Sequence, residues 1–421
     1  MSGRAAGRRR IDYLVSRFPK TSETFIIREI DALDRRGEWE VGVRSLFRSP
    51  DPATVHSAAA RWLGAHRRPG AAHIVLGWSW ALRRRRRALA DVLLIVLREH
   101  ARRPGLLARA LVTVVLAVGH ARELATRPGG RVHAHFATYP ALAAWVCRRL
   151  AGTPYGFTAH AHDLYVDRTM LTRKVAEADY VVTVSEFNRR LLENLPGASG
   201  TPVRVVHCGI DTAVHPFRPR VLPGTGPIRA LCVASLQEYK GHRVLFEAVA
   251  LGGPGVRRIE LDLVGDGPLR AGLVRLAGEL GLRGRVRFLG QQSERQVRRL
   301  LAEADLFVLP SVVARDGQME GLPVALVEAL ASGVPAVSTA LSGIGEIIVD
   351  GVTGLLATPG SAESLRDALR RTIEDGRGAA RRATAGRRFV EEHFDLEVCT
   401  DQLVAVLADH SRGGSGLGVT G

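Results

Sequence analysis

Short apolar runs, each leaving through a polar loop into an amphipathic stretch, recur along nearly the whole chain. In the first half they are Ile11–Ser16, Val41–Phe47, Val132–Phe136, the run opening at Pro154, Asp179–Val184 and Val203–His207. In the second half they are Arg229–Ser235, Ile259–Val264, Val286–Leu289, Leu306–Pro310 and Pro335–Thr339. Runs of this length, rich in Val, Ile and Leu, predict buried strands, and the apolar spacing between them predicts helices. Helical patterns end near Leu33 before the stop at Gly37, cover Tyr139–Leu150, start at Glu186, end near Ala250, and cover Glu294–Ala302 and Val324–Ala331. Thr21 or Ser22 suits the cap of the first helix, and the same polar loop, with Glu23, suits ligand binding. Strand–helix alternation of this kind is the mark of parallel sheets covered on both faces, an α/β architecture. The proline- and glycine-rich segment 215–227 breaks the rhythm and reads as a linker. Residues 1–214 and 228–385 then form two doubly wound domains.

Every glycine-bearing loop of the second half follows a strand and precedes a helix, so in a parallel sheet all lie at the carboxyl edge. The richest is Arg315–Gly333, reading RDGQMEGLPVALVEALASG. Glu320 falls in the loop, and Glu328 lies eight residues on, about two turns into the helix. Gly321 permits close backbone approach, Pro323 suits the first helical turn, and the helix start offers free N–H groups to a phosphate. One carboxylate beside such a seat can accept hydroxyls of a sugar and the other those of a ribose. Alone, this stretch is equally an exposed loop and an amphipathic helix. Convergence with Leu236–Gly241, Gly265-Asp266-Gly267-Pro268 and Ser342–Glu346 on one edge points instead to a nucleotide-sugar site. In the first half, TAHAHDLY brings polar groups to a strand end, and strand alternation puts His160 and His162 on one side. That gathering favours a site role for His160 over a satisfied core position.

Charge adds an asymmetry. The chain carries a net +17; residues 1–212 hold 34 Lys and Arg against 18 Asp and Glu, and the remainder 25 against 24. The basic half fits an anionic substrate or membrane surface. Arg83–Arg87 and Arg109 flank the apolar runs Ala88–Leu97 and Leu106–Val118, a pattern for helices lying on an anionic membrane or for a core pair with solvated arginines. No RNA- or DNA-binding signature accompanies the charge. The runs fall short of the roughly 20 residues a spanning helix needs, and the N-terminus lacks the apolar run of a signal peptide. Four scattered cysteines show neither metal nor disulfide spacing. The expectation is a cytoplasmic protein, with the inner face of the plasma membrane as the surface its basic half suits.

Taken together, FPKTSETFIIREI, HAHF, TAHAHDLY and the E-x7-E pair within SVVARDGQMEGLPVALVEALASGVPAVSTALSGIGEIIVDGVTGLL resemble glycosyltransferase family 4, the retaining enzymes of GT-B fold, and within it the bacterial exopolysaccharide or colanic-acid-type branch. The resemblance implies two Rossmann-like domains facing across a cleft, the first for the acceptor and the second for a nucleotide-diphosphate sugar (UDP- or GDP-hexose). It implies a helix at 386–410 returning to the first domain, with a break near Phe394-Asp395 and a disordered tail at 411–421. By the same resemblance His160, Lys240 and Glu320 are catalytic. Lys240 neutralises the diphosphate, Glu320 lies by the transferred sugar, and His160 lies near the reacting centre. Glu328 takes the ribose, and Gly321, Leu322, Ser235, Gly265, Gly267 and Gly343 line the donor site. Ser235 stands where the family usually has an arginine, and His242 and Arg243 are the nearest candidates to compensate. Transfer is expected on the front face, with no protein nucleophile, no cofactor and no metal. Glu260-Leu261-Asp262 is strand alternation rather than an Asp-x-Asp motif. A glycosidase with paired carboxylates is disfavoured, because Glu328 sits deep on a helix whose start suits phosphate. The acceptor class is a lipid-linked saccharide or, alternatively, a soluble secondary metabolite; a membrane-surface scaffold with a degenerate sugar site is the weaker alternative, and no nucleic-acid partner is expected.

Overall fold

The computed structural model describes residues 8–20, 23–49, 58–197, 200–218 and 220–409. The caps expected at Thr21 and Ser22, and the tail at 411–421, lie outside those residues. The chain divides into two compact units, one of Met1–Val184, Asn188–Val206 and Thr400–Gly421, the other of Ser185–Phe187 and His207–Cys399.

The first unit is built on strands β1 (Arg9–Phe18), β2 (Trp39–Arg48), β3 (His66–Arg67), β4 (Gly130–His135), β5 (Tyr155–Ala159), β6 (Tyr180–Thr183) and β7 (Val203–Val205). They form one sheet in the order β3-β2-β1-β4-β5-β6-β7, and all its pairings are parallel. Its helices are α1 (Thr24–Arg35), α2 (Ala59–Leu63), α3 (Ala71–Arg84), α4 (Arg86–His100), α5 (Pro104–Ala125), α6 (Tyr139–Ala151), α7 (His162–Tyr165), α8 (Leu171–Ala176) and α9 (Glu186–Glu193). Parallel neighbours need crossovers, which α1, α6 and the α2–α5 group supply. The helix α5 departs from the sequence pattern. Arg109 suggests runs too short to span a membrane, yet the helix runs on through His120 and Arg122 to 22 residues, long and apolar enough to cross one by length and composition. Val114, Ala117, Val118 and Ala121 are fully buried in the same core cluster as Ala143, Trp145 and Val146 of α6, which marks it as a core helix.

The second unit repeats the plan with β8 (Ile228–Val233), β9 (Ile259–Val264), β10 (Val286–Gly290), β11 (Leu306–Leu309), β12 (Ala336–Thr339) and β13 (Leu355–Ala357), ordered β10-β9-β8-β11-β12-β13 and again parallel. Its helices are α10 (His242–Leu251), α11 (Arg270–Glu279), α12 (Glu294–Glu303), α13 (Val324–Ala331), α14 (Ala362–Glu374), α15 (Gly376–His393) and α16 (Leu396–Asp409). Ser293 opens α12 with a reciprocal capping box to Gln296, which satisfies two end donors at once. The segment between β7 and β8 is strapped to this unit. Arg220 donates to the carbonyls of Ala302 and Ala304, Arg258 to those of Pro223 and Gly224, and the Phe217 ring lies against Gly333. The break between α15 and α16 falls at Phe394-Asp395, and α16 begins in the second unit and ends in the first.

In each sheet the first strand is flanked by the second and the fourth, so connections leave in opposite directions on either side of it. Such a switch point leaves a crevice beyond the carboxyl ends of the two central strands, where ligands of open α/β sheets bind. The switch points are β1/β4 and β8/β11.

A buried ion cluster braces the first sheet. Arg44, fully buried on β2, donates to Asp12 at 2.8 Å and to Glu123 of α5 at 2.6 Å. Removing one partner of a buried pair strands the other charge, at about 3–5 kcal/mol. Asp12→Ala is therefore expected to cost about 3 kcal/mol. All five tryptophans lie in the first unit, so urea denaturation followed by tryptophan fluorescence reads that loss where it arises.

Candidate active site

In the second unit four loops converge at the carboxyl edge. Leu236 N–H donates to Asp266 O at 3.0 Å and Leu269 N–H to Leu236 O at 3.1 Å, tying the loop after β8 to the loop after β9. Val312 N–H donates to Tyr239 O at 2.9 Å, tying the loop after β11 to that after β8. Ser342 Oγ donates to the Glu320 carbonyl, bringing in the loop after β12. Two glycines make the closeness possible. A Cβ at Gly241 (φ +72°) would fall only 1.8 Å from Pro310 O, and one at Gly265 (φ +132°) 2.0 Å from Ala234 O, so only glycine fits at either place. Gly267 donates to Asp266 Oδ1 at 2.8 Å, and Gly343 is buried close against the Gly321 carbonyl. Gly321 and Leu322 are buried beside the start of α13. Pro323 stands one place earlier than the sequence suggests: it is the extended residue before the first turn, and Val324 begins the helix.

Lys240 and Glu320 meet here as a mostly buried ion pair, with Nζ hydrogen-bonded to the carboxylate. Burial pulls the Lys240 pKa down, but the charge and hydrogen bond of Glu320 together with Tyr239 and Cys232 outweigh it and the net shift is upward, so the ammonium stays charged. Nζ also lies 4.8 Å from the centre of the Tyr239 ring. Glu328 is mostly buried within α13. Ser235 is half-buried in the turn after β8. Neither neighbour restores the charge missing at that position. His242 is buried and, through burial and then the Lys240 charge, is lowered to about 4, hence neutral; Arg243 faces outward towards Glu247 at 3.7 Å.

In the first unit His160 follows β5 directly. Its N–H and that of Ala161 donate to the Asp163 carboxylate at 3.1 and 2.8 Å, and Ala137 N–H, beyond β4, donates to the same group at 2.7 Å. One carboxylate thus clamps two strand-end loops, and Asn188 holds the His160 carbonyl at 2.6 Å. Lys174, lowered to about 8 by burial, donates to Ala137 O. The expected pairing of His160 with His162 does not hold. The strand ends at Ala159 and α7 starts at His162, so the two-residue period stops between them; His160 is buried and His162 exposed. His160 instead meets His135 at 3.2 Å (Nε2 to Nδ1), and His135 Nε2 meets Glu29 Oε1 at 3.2 Å. Sequence reasoning passed over Glu29. Its signal is a charge three residues after Ile26 and four before Leu33, inside the buried stripe of α1. Burial would raise the Glu29 pKa, but the histidines and Tyr13 outweigh it and hold it at about 2. Glu23 neither caps α1 nor stands free; it pairs with Lys20 at 2.5 Å.

Among the described residues, Glu29, His133 and His135 bring three potential metal ligands within 4.8 Å of one another. Protein groups already serve all three: Tyr13 and His135 on Glu29, and Tyr180 and Thr158 on the two nitrogens of His133.

Comparison with known proteins accounts for both halves. Residues 216–389 match the model for glycosyl transferases group 1, and 83–214 match that for Glycosyltransferase Family 4. The chain belongs to glycosyltransferase family 4. It is 38% identical over 181 residues to the amylovoran biosynthesis glycosyltransferase AmsK of Erwinia amylovora, covering 43% of this chain and 44% of that protein. It is 33% identical over 231 residues to the putative colanic acid biosynthesis glycosyltransferase WcaL of Escherichia coli, covering 54% and 56%. The chain thus spans about half the length of these relatives. The structure of Anabaena Alr3699/HepE in complex with UDP superposes with a TM-score of 0.70 at 18% identity, over 95% of this chain and all of that one. That likeness places the two parallel-sheet units in the GT-B fold class.

The family 4 frame contains histidines buried in their neutral form. His133 is lowered to about 3 by burial and the adjacent His135, and His120 to about 4 by burial and Arg44, against about 6.5 in the unfolded chain. Below pH ~6.5 the unfolded chain takes up protons that the folded one refuses, so stability present above that pH is lost as the pH falls towards 4. The urea midpoint from tryptophan fluorescence is expected to drop steadily between pH 7 and 4.5; a flat profile contradicts the burial of neutral imidazoles.

Proposed function

We propose that this chain is a retaining glycosyltransferase that moves a sugar from a nucleoside-diphosphate sugar to an acceptor hydroxyl, with no metal ion. The Lys240–Glu320 pair, held where four carboxyl-edge loops meet beside the start of α13, carries the reading. A diphosphate brings more negative charge than one carboxylate. It would draw the Lys240 ammonium from Glu320 and leave that carboxylate to accept hydroxyl hydrogens of the sugar. Lys240 and the N–H groups at the start of α13 then stabilise charge growing on the leaving phosphate, which is where preorganised donors gain most. The acceptor oxygen bonds to the anomeric carbon on the face the phosphate leaves, its proton passes to the departing phosphate oxygen, and configuration is retained. In this reading the second unit binds the donor, with Glu328 on the ribose and Ser235, Gly265, Gly267, Gly321, Leu322 and Gly343 around it; the first unit supplies His160 and the acceptor. The UDP bound by HepE supports a nucleotide donor.

The amylovoran and colanic acid relatives favour a saccharide acceptor in polysaccharide synthesis. A lipid-linked one fits the surface of the first unit. Val75 and Leu82, one heptad apart on α3, are 64% and 58% exposed, the exposed Arg83–Arg87 follow directly, and Leu94, Leu97 and Val112 on α4 and α5 are also exposed. Exposed apolar side chains on helices that also carry an exposed arginine cluster suit an anionic bilayer at the cytoplasmic face. A soluble secondary-metabolite acceptor would need neither feature.

Two outcomes are expected. With the donor chosen by thermal shift from UDP-, GDP- and ADP-sugars, Lys240→Ala and Glu320→Ala each lower kcat/KM by ~100-fold or more, on the scale of losing one transition-state contact; full activity in both variants removes the assignment. The chain co-sediments with phosphatidylglycerol vesicles and not with phosphatidylcholine, and Val75→Glu with Leu82→Glu abolishes that binding while a soluble acceptor analogue is still glycosylated.

A further inference from the structure

The histidines at the β4/β5 edge differ in one respect. His133 has both ring nitrogens occupied, Nδ1 by the Tyr180 hydroxyl at 3.0 Å and Nε2 by Thr158 at 2.9 Å. His135 also has both occupied, by His160 and Glu29. His160 has a partner only at Nε2 among the described residues, although it is buried between the rings of Phe25 (5.0 Å) and Phe136 (4.5 Å). Most buried side-chain polar atoms have a hydrogen-bond partner, so the unpartnered Nδ1 of His160 is a nitrogen left open to a ligand.

We propose that Glu29 and His135 are positioning residues for His160: the hydrogen-bonded chain Glu29–His135–His160 fixes His160 as the Nε2–H tautomer and presents its Nδ1 lone pair to a substrate hydroxyl. This rests on the role given to His160 above. The direction follows from bonding capacity. An ionised carboxylate only accepts, so His135 Nε2 carries the hydrogen. With one N–H on the His135 ring, already committed at Nε2, Nδ1 is the acceptor in the proposed chain, and the hydrogen in the 3.2 Å contact belongs to His160 Nε2. His160 Nδ1 is left unprotonated. The chain is anchored at both ends. Tyr13 donates to Glu29 Oε1 at 2.9 Å and stacks on the His135 ring at 5.6 Å. The backbone at His160 is held by Asp163 and Asn188. A group that orients an imidazole through its far nitrogen sets the tautomer available for chemistry. The acidic residue on α1, the histidine ending β4 and the histidine after β5 would then act as one unit joining a helix to two neighbouring strand ends.

The test reads the tautomer directly, apart from turnover. In the full chain labelled with 15N-histidine, long-range proton–nitrogen spectra distinguish Nδ1–H from Nε2–H, and loss of one set in His160→Asn assigns it. The wild type is expected to show a single Nε2–H form at His160. In Glu29→Gln the amide can donate or accept, so His160 is expected to become a mixture, and kcat to fall about tenfold or more while donor KM changes little. Tyr13→Phe, which removes a bond to Glu29 without interrupting the chain, is expected to keep the wild-type tautomer. An Nδ1–H form in the wild type overturns the proposal, and this reading needs no variant to fold. So does a single unchanged tautomer in Glu29→Gln, or one tightly bound metal per chain at His133 and His135. A wild-type Nε2–H form in a chain with no transferase activity would sink the functional reading and leave the relay standing.

Discussion

Two parallel sheets with a switch point each impose the constraint on which the rest of this protein depends. Where connections depart in opposite directions, the carboxyl ends of two neighbouring strands are left uncovered, and chemistry can gather there. In the second unit those strands are β8 and β11, and the loops leaving them carry Lys240 and Glu320. In the first they are β1 and β4, and the polar cluster at that edge is Glu29, His135 and, from the next strand, His160. The two clusters hold equivalent places in two copies of one topology; each contains a glutamate, paired with a lysine in one and with histidines in the other. A fold that supplies a place without supplying chemistry would let one unit serve phosphate and the other hydroxyl hydrogens, as the proposed function requires.

Gathering polar groups below a sheet edge has an energetic consequence. A buried charge or donor without a partner costs more than the partnered group contributes. Both clusters are accordingly closed by reciprocal contacts: Lys240 against Glu320, Asp163 against three backbone N–H groups, Glu29 between Tyr13 and His135. These contacts also remove freedom. The Asp163 clamp ties the exit of β4 to the exit of β5, so the position of His160 depends on two strands and not on one flexible loop. Rigidity of this kind is what places a reacting group to within fractions of an ångström.

Much of this was legible in the residues, and the gaps have physical causes. The β-α rhythm, most strand positions and the convergence of glycine loops followed from apolar runs of the right length and from turn chemistry. The strands β3 and β13, of two and three residues, are too short to show a period. The face of His162 was misplaced because strand alternation was carried past Ala159, where the strand ends. The length of α5 was underestimated because Arg109 was taken as an interruption, whereas a helix can carry an arginine on its outer side and continue. Lys240 stands out only through the resemblance to family 4, since a lysine after a strand is common; Glu29 was passed over, because a charge inside the apolar stripe of α1 takes its meaning from the histidines that the sheet brings beside it.

The charge balance at the second switch point carries the argument furthest. The loop after β8 has Ser235 where the family usually has arginine, His242 is neutral, and Arg243 faces away. The formal positive charge that this loop brings to the edge is therefore that of Lys240, which Glu320 already balances in part. A diphosphate seated here would be met by one ammonium and otherwise by dipoles, namely backbone N–H groups of the glycine loops and the start of α13. Dipolar donors are fixed by the fold and lose little when water is excluded, while a lone ammonium gains as its carboxylate turns to the sugar. Such a seat would respond more to the integrity of Gly241, Gly265 and Gly343, which let the loops close on one another, than a seat built from two cationic side chains. In such a seat the glycines that shape the backbone would be part of the electrostatics of the site.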